Sequence, residues 1–145
     1  MGWKFYNASG QQLRNTSTVL ATQAEMEAGS STSAFVTPGR TQYHPGVAKA
    51  YYTAAGDGTL QSNSHNITSL SRDGTGDYTV TWATDFANVN YAVSITSSHG
   101  SDINDAAISN IRAAATGTLR YGMGTPASPS VGNDQDHDVI AFGDQ

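Results

Sequence analysis

The chain of 145 residues contains no cysteine, so neither a disulfide framework nor a thiolate metal site can support it. Charge is scarce as well. Only 13% of residues are charged, ten Asp and two Glu stand against seven Lys plus Arg, and the formal net charge is −5. No two cations are adjacent, and because phosphate neutralisation needs clustered cations, nucleic acid is not expected as a partner. No apolar run approaches the about 18 residues of a membrane span, and no charged-then-apolar leader opens the chain. Membrane insertion and classical secretion are therefore not expected.

Gly, Ser, Thr, Asn and Ala are abundant beside 37% hydrophobic residues, the profile of a β-rich surface protein more than of a helical cytosolic enzyme. A chain of this length can bury about two-thirds of its unfolded surface, enough for a true core.

The stretch from Thr22 to Lys49 reads as a connector. Thr22 with Glu25 forms a capping box, AEMEA favours helix and Gly29 stops it. A helix this short must dock to persist, and Met26 with Val19 and Leu20 offers an apolar side. Pro38-Gly39 and Pro45-Gly46 are two turn-forming pairs enclosing Arg40, Tyr43 and His44. Ahead of the connector, Trp3, Phe5 and Tyr6 predict a short aromatic strand, and QQLRNTSTVL a second extended piece.

After the connector the pattern is β. In VAKAYYTAA, Val47, Lys49 and Tyr51 alternate with Ala48, Ala50 and Tyr52, and Gly56-Asp57-Gly58 signals a tight turn. TLQSNSHNITSLS is expected to cross between sheets, anchored by Leu60, Ile67 and Leu70. YTVTW places Tyr78, Val80 and Trp82 on one face after a turn at 73–77, and YAVSIT repeats the pattern with Tyr91, Val93 and Ile95, so the two read as neighbours in half of a sandwich. Further strands are expected at AAISNIRAAA, at Thr118–Met123 and at VIAF, with TPASPSVGNDQDHD as the longest irregular loop.

Residues that could carry chemistry are dispersed. His44, His65, His99 and His137 stand alone, with no HExxH or H-x-H. A trimer can build an axial metal site from one His per chain, but isolated histidines are more often ordinary surface or core residues. Asp134, Asp136 and Asp138 alternate like the start of a calcium loop, yet Val139 occupies the glycine position and no twelfth-position Glu follows. That leaves either a non-standard cation site or a solvated acidic loop. No GxSxG or other catalytic setting occurs, so an enzyme is not expected, a polysaccharide hydrolase being the least supported reading. Trp82 has core spacing, whereas Tyr121, beside Gly122 and Gly124, is expected at the surface where a ring could stack on a sugar.

The ordered words AEMEAG, FVTPGR, QYHPG and GTGDYTV, spread over Ala21 to Val93, resemble a module that recurs in predicted tail-fibre and related structural proteins of tailed bacteriophages. The resemblance implies a virion protein made in the host cytoplasm, often a homotrimer at a fibre tip. Its implied partners are its own copies, other virion proteins and a host-surface glycan or protein. The expectation is thus an all-β, antiparallel β-sandwich-like domain at 47–145, preceded at 1–46 by a short strand, a short helix and the Pro-Gly connector. Trp3, Phe5, Met26, Phe35, Arg40, Tyr43 and His44 are the expected attachment and trimer residues. Loops at Ser97–Asp105 and Gly124–Asp138 would hold the ligand-facing set, His99, Asp102, Tyr121, Asp134, Asp136 and His137. A purely structural decoration or adaptor is the alternative.

Overall fold

A computed structural model describes residues 8–10, 19–97, 107–125 and 128–145. The expected strand at Trp3–Tyr6, most of the QQLRNTSTVL piece, and His99 and Asp102 lie outside the described residues. The chain divides into two compact units, Met1–His44 and Pro45–Gln145.

In the first unit the capping box forms as its residue types require. The Glu25 amide donates to Thr22 Oγ1 at 3.2 Å, the Thr22 amide donates to Glu25 Oε2 at 2.8 Å, and Gly29 ends helix α1 (Gln23–Ala28) in the left-handed region at φ 61°. Met26 is buried, but Val19 and Leu20 are not, contrary to the expectation that they would join its apolar side. They pair instead with the chain entering the first Pro-Gly turn. Ala21 N–H donates to the Phe35 carbonyl and Phe35 N–H to the Val19 carbonyl, each at 2.9 Å. Pro38 then starts α2 (Pro38–Thr41), a single helical turn with proline at a position where its missing N–H costs nothing.

The second unit is an all-β sandwich of two antiparallel sheets. Strands β1 (Ala50–Ala54), β8 (His137–Phe142) and β4 (Ala92–Ser97) form one sheet in the order β1-β8-β4. The other runs β2 (Ile67–Gly74), β3 (Asp77–Trp82), β6 (Thr118–Thr125), β5 (Ile108–Ala114), with β7 (Ser128–Gly132) pairing the far end of β6. One core lies between them. Ala50, Tyr52, Ala54, Val139 and Ala141 face in from the first sheet, and Tyr78, Val80, Trp82, Leu119, Tyr121 and Met123 from the second. The alternation read in AYYTA and YTVTW is thus the alternation of burial.

Three expectations are corrected. The polar ITSLSRDG is a full strand, β2, pairing with β3, because Ile67 and Leu70 suffice to anchor it while its hydroxyls face solvent. YTVTW and YAVSIT do not neighbour each other: β3 and β4 lie in opposite sheets, and Phe86 and Tyr91, stacked at 4.2 Å, plug the core between them. Their identical period could not reveal this, since facing strands of a sandwich show the same pattern. Finally, the long C-terminal loop contains β7.

The strand at AAISNIRAAA forms as expected, but all seven residues of β5 are exposed. The three-stranded sheet is too narrow to cover it, and β5 touches the opposite layer through Ser109 Oγ, which donates to the Ile95 carbonyl at 3.2 Å.

Candidate functional site

The residues expected to face a ligand from the C-terminal loop are mostly structural. Tyr121, expected at the surface, is 0% exposed, as is His137. Tyr121 belongs to the inward parity of β6, and its neighbouring glycines permit close packing, not exposure. A relay of hydrogen bonds links both sheets here. The Tyr52 hydroxyl donates to the Tyr121 hydroxyl at 2.7 Å, and the Tyr121 hydroxyl lies 2.6 Å from His137 Nε2. His137 Nδ1 lies 2.8 Å from the Gln135 carbonyl. A carbonyl can only accept, so Nδ1 carries the proton, Nε2 accepts from Tyr121, and all donors run in one direction through a neutral imidazole. Tyr78 completes the cluster, its ring 4.7 Å from that of His137 and stacked 5.5 Å from that of Tyr121.

Burial pushes the His137 pKa down, against the opposing pull of its bond to the Gln135 carbonyl and of Asp138 and Asp136. Its folded pKa lies below the unfolded value of about 6.5, so the unfolded chain takes up the proton first and stability falls as pH drops below about 6.5. Asp77 and Asp134 are depressed chiefly by hydrogen bonds from Arg120 and Arg72. Their contribution is present above about pH 4 and is lost as pH falls through their folded pKa values. Urea unfolding followed from pH 8 to pH 3 is therefore expected to show a flat region, a first decline beginning near pH 6.5 and a second below pH 4. The slope of the first decline should not exceed about 1.4 kcal/mol per pH unit and should vanish in His137→Gln.

The three alternating carboxylates do not converge on one point. Asp134 accepts from Arg72 Nε at 2.9 Å and from the Gly76 amide at 2.7 Å, Asp136 from the Gly56 amide at 2.9 Å, and Asp138 from the Thr53 hydroxyl at 2.6 Å. Each is thereby tied to a different turn or strand. The cation site considered for them does not form, and among the described residues no group of three or more His, Asp or Glu is placed to hold a metal ion. Asp134 is a fastening point instead. The Tyr78 hydroxyl shares its proton between the Gly56 carbonyl at 2.6 Å and Asp134 at 3.2 Å, so the turns at Gly56 and Gly76 are both laced to residues 134–136.

A second charged cluster, unmarked in the sequence, lies on the outer face of the larger sheet. Arg120 grips Asp77 at both oxygens, Nε to Oδ1 at 3.0 Å and Nη2 to Oδ2 at 2.6 Å, while Arg112 Nη1 reaches Oδ2 at 2.7 Å. Strand parity puts Asp77 and Arg120 on the solvent side, but only the register of β3 on β6 brings them together.

The outer face of the three-stranded sheet carries a different arrangement. Register aligns Tyr51, Ile140 and Ser94 in one row across β1, β8 and β4, and Thr53, Asp138 and Thr96 in the next. Together they floor a shallow cleft of about 380 Å³. Residues 59–65 run back along β1 after the turn at Gly58, whose φ of +86° requires glycine, and carry His65 beside Tyr51, the rings stacked at 5.5 Å and 24°. Asp138 is the only residue of these rows that the sequence marked as a candidate ligand. The alternation of YAVSIT and AYYTA was visible, but their strand neighbours were not.

Of the expected attachment residues, Met26 is buried, Arg40 and Tyr43 are half-buried and His44 is exposed. Phe35 is 62% exposed, and with Val36, Val19 and Leu20, all at 44% or more, it gives this small unit four large apolar side chains open to solvent. Trp3 and Phe5 lie outside the described residues.

Comparison with protein-family models, with curated proteins and with solved structures finds no match to this chain.

Proposed function

We propose that the chain is a structural module of a tailed-bacteriophage fibre, in which the first 44 residues serve assembly and the sandwich is presented outward to the host surface. The observation that carries this reading is the apolar exposure of the first unit. Val19, Leu20, Phe35 and Val36 are brought side by side by the Leu20–Phe35 bridge in a unit whose buried apolar residues, among the described residues, are Ala21 and Met26. Clustered large apolar side chains left open in so small a unit suit a surface that is covered on association. The exposed β5, with Ile108 and Ile111 open to solvent, adds a second surface of the same kind on the sandwich. The resemblance of the AEMEAG, FVTPGR, QYHPG and GTGDYTV words agrees with a virion role.

Light scattering on the purified chain is expected to give three times its 15.2 kDa, and the double variant Leu20→Ser with Phe35→Ser is expected to reduce this to the monomer mass. Both residues are exposed, so the variant leaves each unit folded. A wild-type monomer at micromolar concentration would overturn the assembly role.

A further inference from the structure

We propose that the cleft on the outer face of β1-β8-β4 is a saccharide-binding site, with a sugar ring laid on Tyr51 and its hydroxyls held by Thr53, Asp138 and Thr96. A pyranose has apolar C–H faces and a rim of hydroxyls, so a site for it needs a flat platform beside a line of donors and acceptors. The register supplies both. Tyr51 is 44% exposed and its ring is steadied from behind by the stacked His65, while Ile140 extends the apolar floor. One step along the strands, about 7 Å away at two residues of rise, comes the polar row.

Within that row the bond from Thr53 uses one carboxylate oxygen, Oδ1, and holds Asp138 in place between two hydroxyl residues. A carboxylate accepts from sugar hydroxyls, and Thr and Ser can both donate and accept, which suits ligands that offer the same group in both roles. The volume of about 380 Å³ falls within the about 300–1,000 Å³ of small-molecule sites.

The same composition disfavours other occupants. The floor holds one acidic and no basic side chain, which disfavours phosphate and nucleic acid. This inference needs only the sandwich, and therefore holds or fails independently of the fibre reading. It also moves ligand contact from the C-terminal loop, whose Asp134 and Asp136 are engaged structurally, to a sheet face.

The test is amide chemical-shift titration of the intact chain with glucose, galactose, mannose and N-acetylglucosamine. At least one sugar is expected to shift the amides of residues 51–53, 94–96 and 138–140. Tyr51→Ala should weaken that binding by about tenfold or more, and Tyr51→Phe, which keeps the ring, should stay within about threefold of wild type. Asp138→Asn provides the same readout should Tyr51→Ala lose the dispersed spectrum of a folded chain. Three results would overturn the proposal: no shifts at about 50 mM sugar, far above the millimolar constants equivalent to about −4 kcal/mol; binding unchanged in Tyr51→Ala; or cleft amides that move with protein concentration alone, marking a contact between copies.

Discussion

Tyr121→Phe is expected to lower the stability of the sandwich by about 3 kcal/mol, although it removes a single oxygen atom. That oxygen stands in the middle of the relay. Without it the Tyr52 hydroxyl has no acceptor and His137 Nε2 has no donor, and both residues are buried where water cannot replace the partner. Each orphaned group costs about 1–3 kcal/mol. Tyr52→Phe is the informative contrast, because Tyr52 donates from the end of the relay. Removing its hydroxyl leaves Tyr121 still donating to His137 and orphans no donor, so about 1 kcal/mol is expected. Urea unfolding of the two variants beside wild type measures the difference, and equal losses would show that the relay does not run in the direction assigned to it.

Gly76→Ala is expected to be equally damaging, at about 3 kcal/mol, for a backbone reason. Gly76 sits at φ +62°, and a Cβ there would run into the Met123 carbonyl oxygen and the Asn133 amide nitrogen and would lie 2.8 Å from Gly132 Cα. All three are backbone atoms, so no side chain can move aside. Two residues earlier in the same hairpin, Gly74 has an ordinary φ, and its added Cβ would meet the Cβ of Asp77 at 3.9 Å. Gly74→Ala should therefore stay within about 0.5 kcal/mol of wild type. The pair separates two glycines that look interchangeable in the sequence DGTGD, and thermal melts of both variants decide it.

That pair also illustrates what a single sequence discloses. Local features were legible because their causes are local: the Thr22–Glu25 cap, the Gly29 stop, the turn at Gly58 and the parity of Tyr78, Val80 and Trp82 follow from neighbouring residues alone. Pairing across distance was not. β1 gives no sign that its partner is β8, and ITSLSRDG, poor in apolar residues, concealed β2 because anchoring at Ile67 and Leu70 is enough when a neighbouring strand supplies the hydrogen bonds.

The candidate sites follow the same division. The alternation of Asp134, Asp136 and Asp138 left a cation site and a solvated acidic loop both open, because alternation in sequence can resemble convergence in space, yet successive carboxylates point to separate partners on separate elements. Tyr121 looked exposed because glycines flank it, when Gly122 leaves room for the Arg112 and Asn110 side chains and Tyr121 itself faces the core. The rows of Tyr51, Ile140 and Ser94 and of Thr53, Asp138 and Thr96 draw on three strands, and only the register assembles them.

The strand order of the smaller sheet also dictates when it can form. β2 pairs with β3, and β5, β6 and β7 pair in succession, so the larger sheet grows mostly from neighbours in the chain, its halves joined by the longer-range pairing of β3 with β6. In the smaller sheet β8 lies between β1 and β4, and Thr53 meets Asp138 across 85 residues. Closing so long a loop comes late and slows folding. During synthesis the larger sheet can assemble while β4 and the β8-facing edge of β1 wait, and the cleft is completed only when β8 emerges.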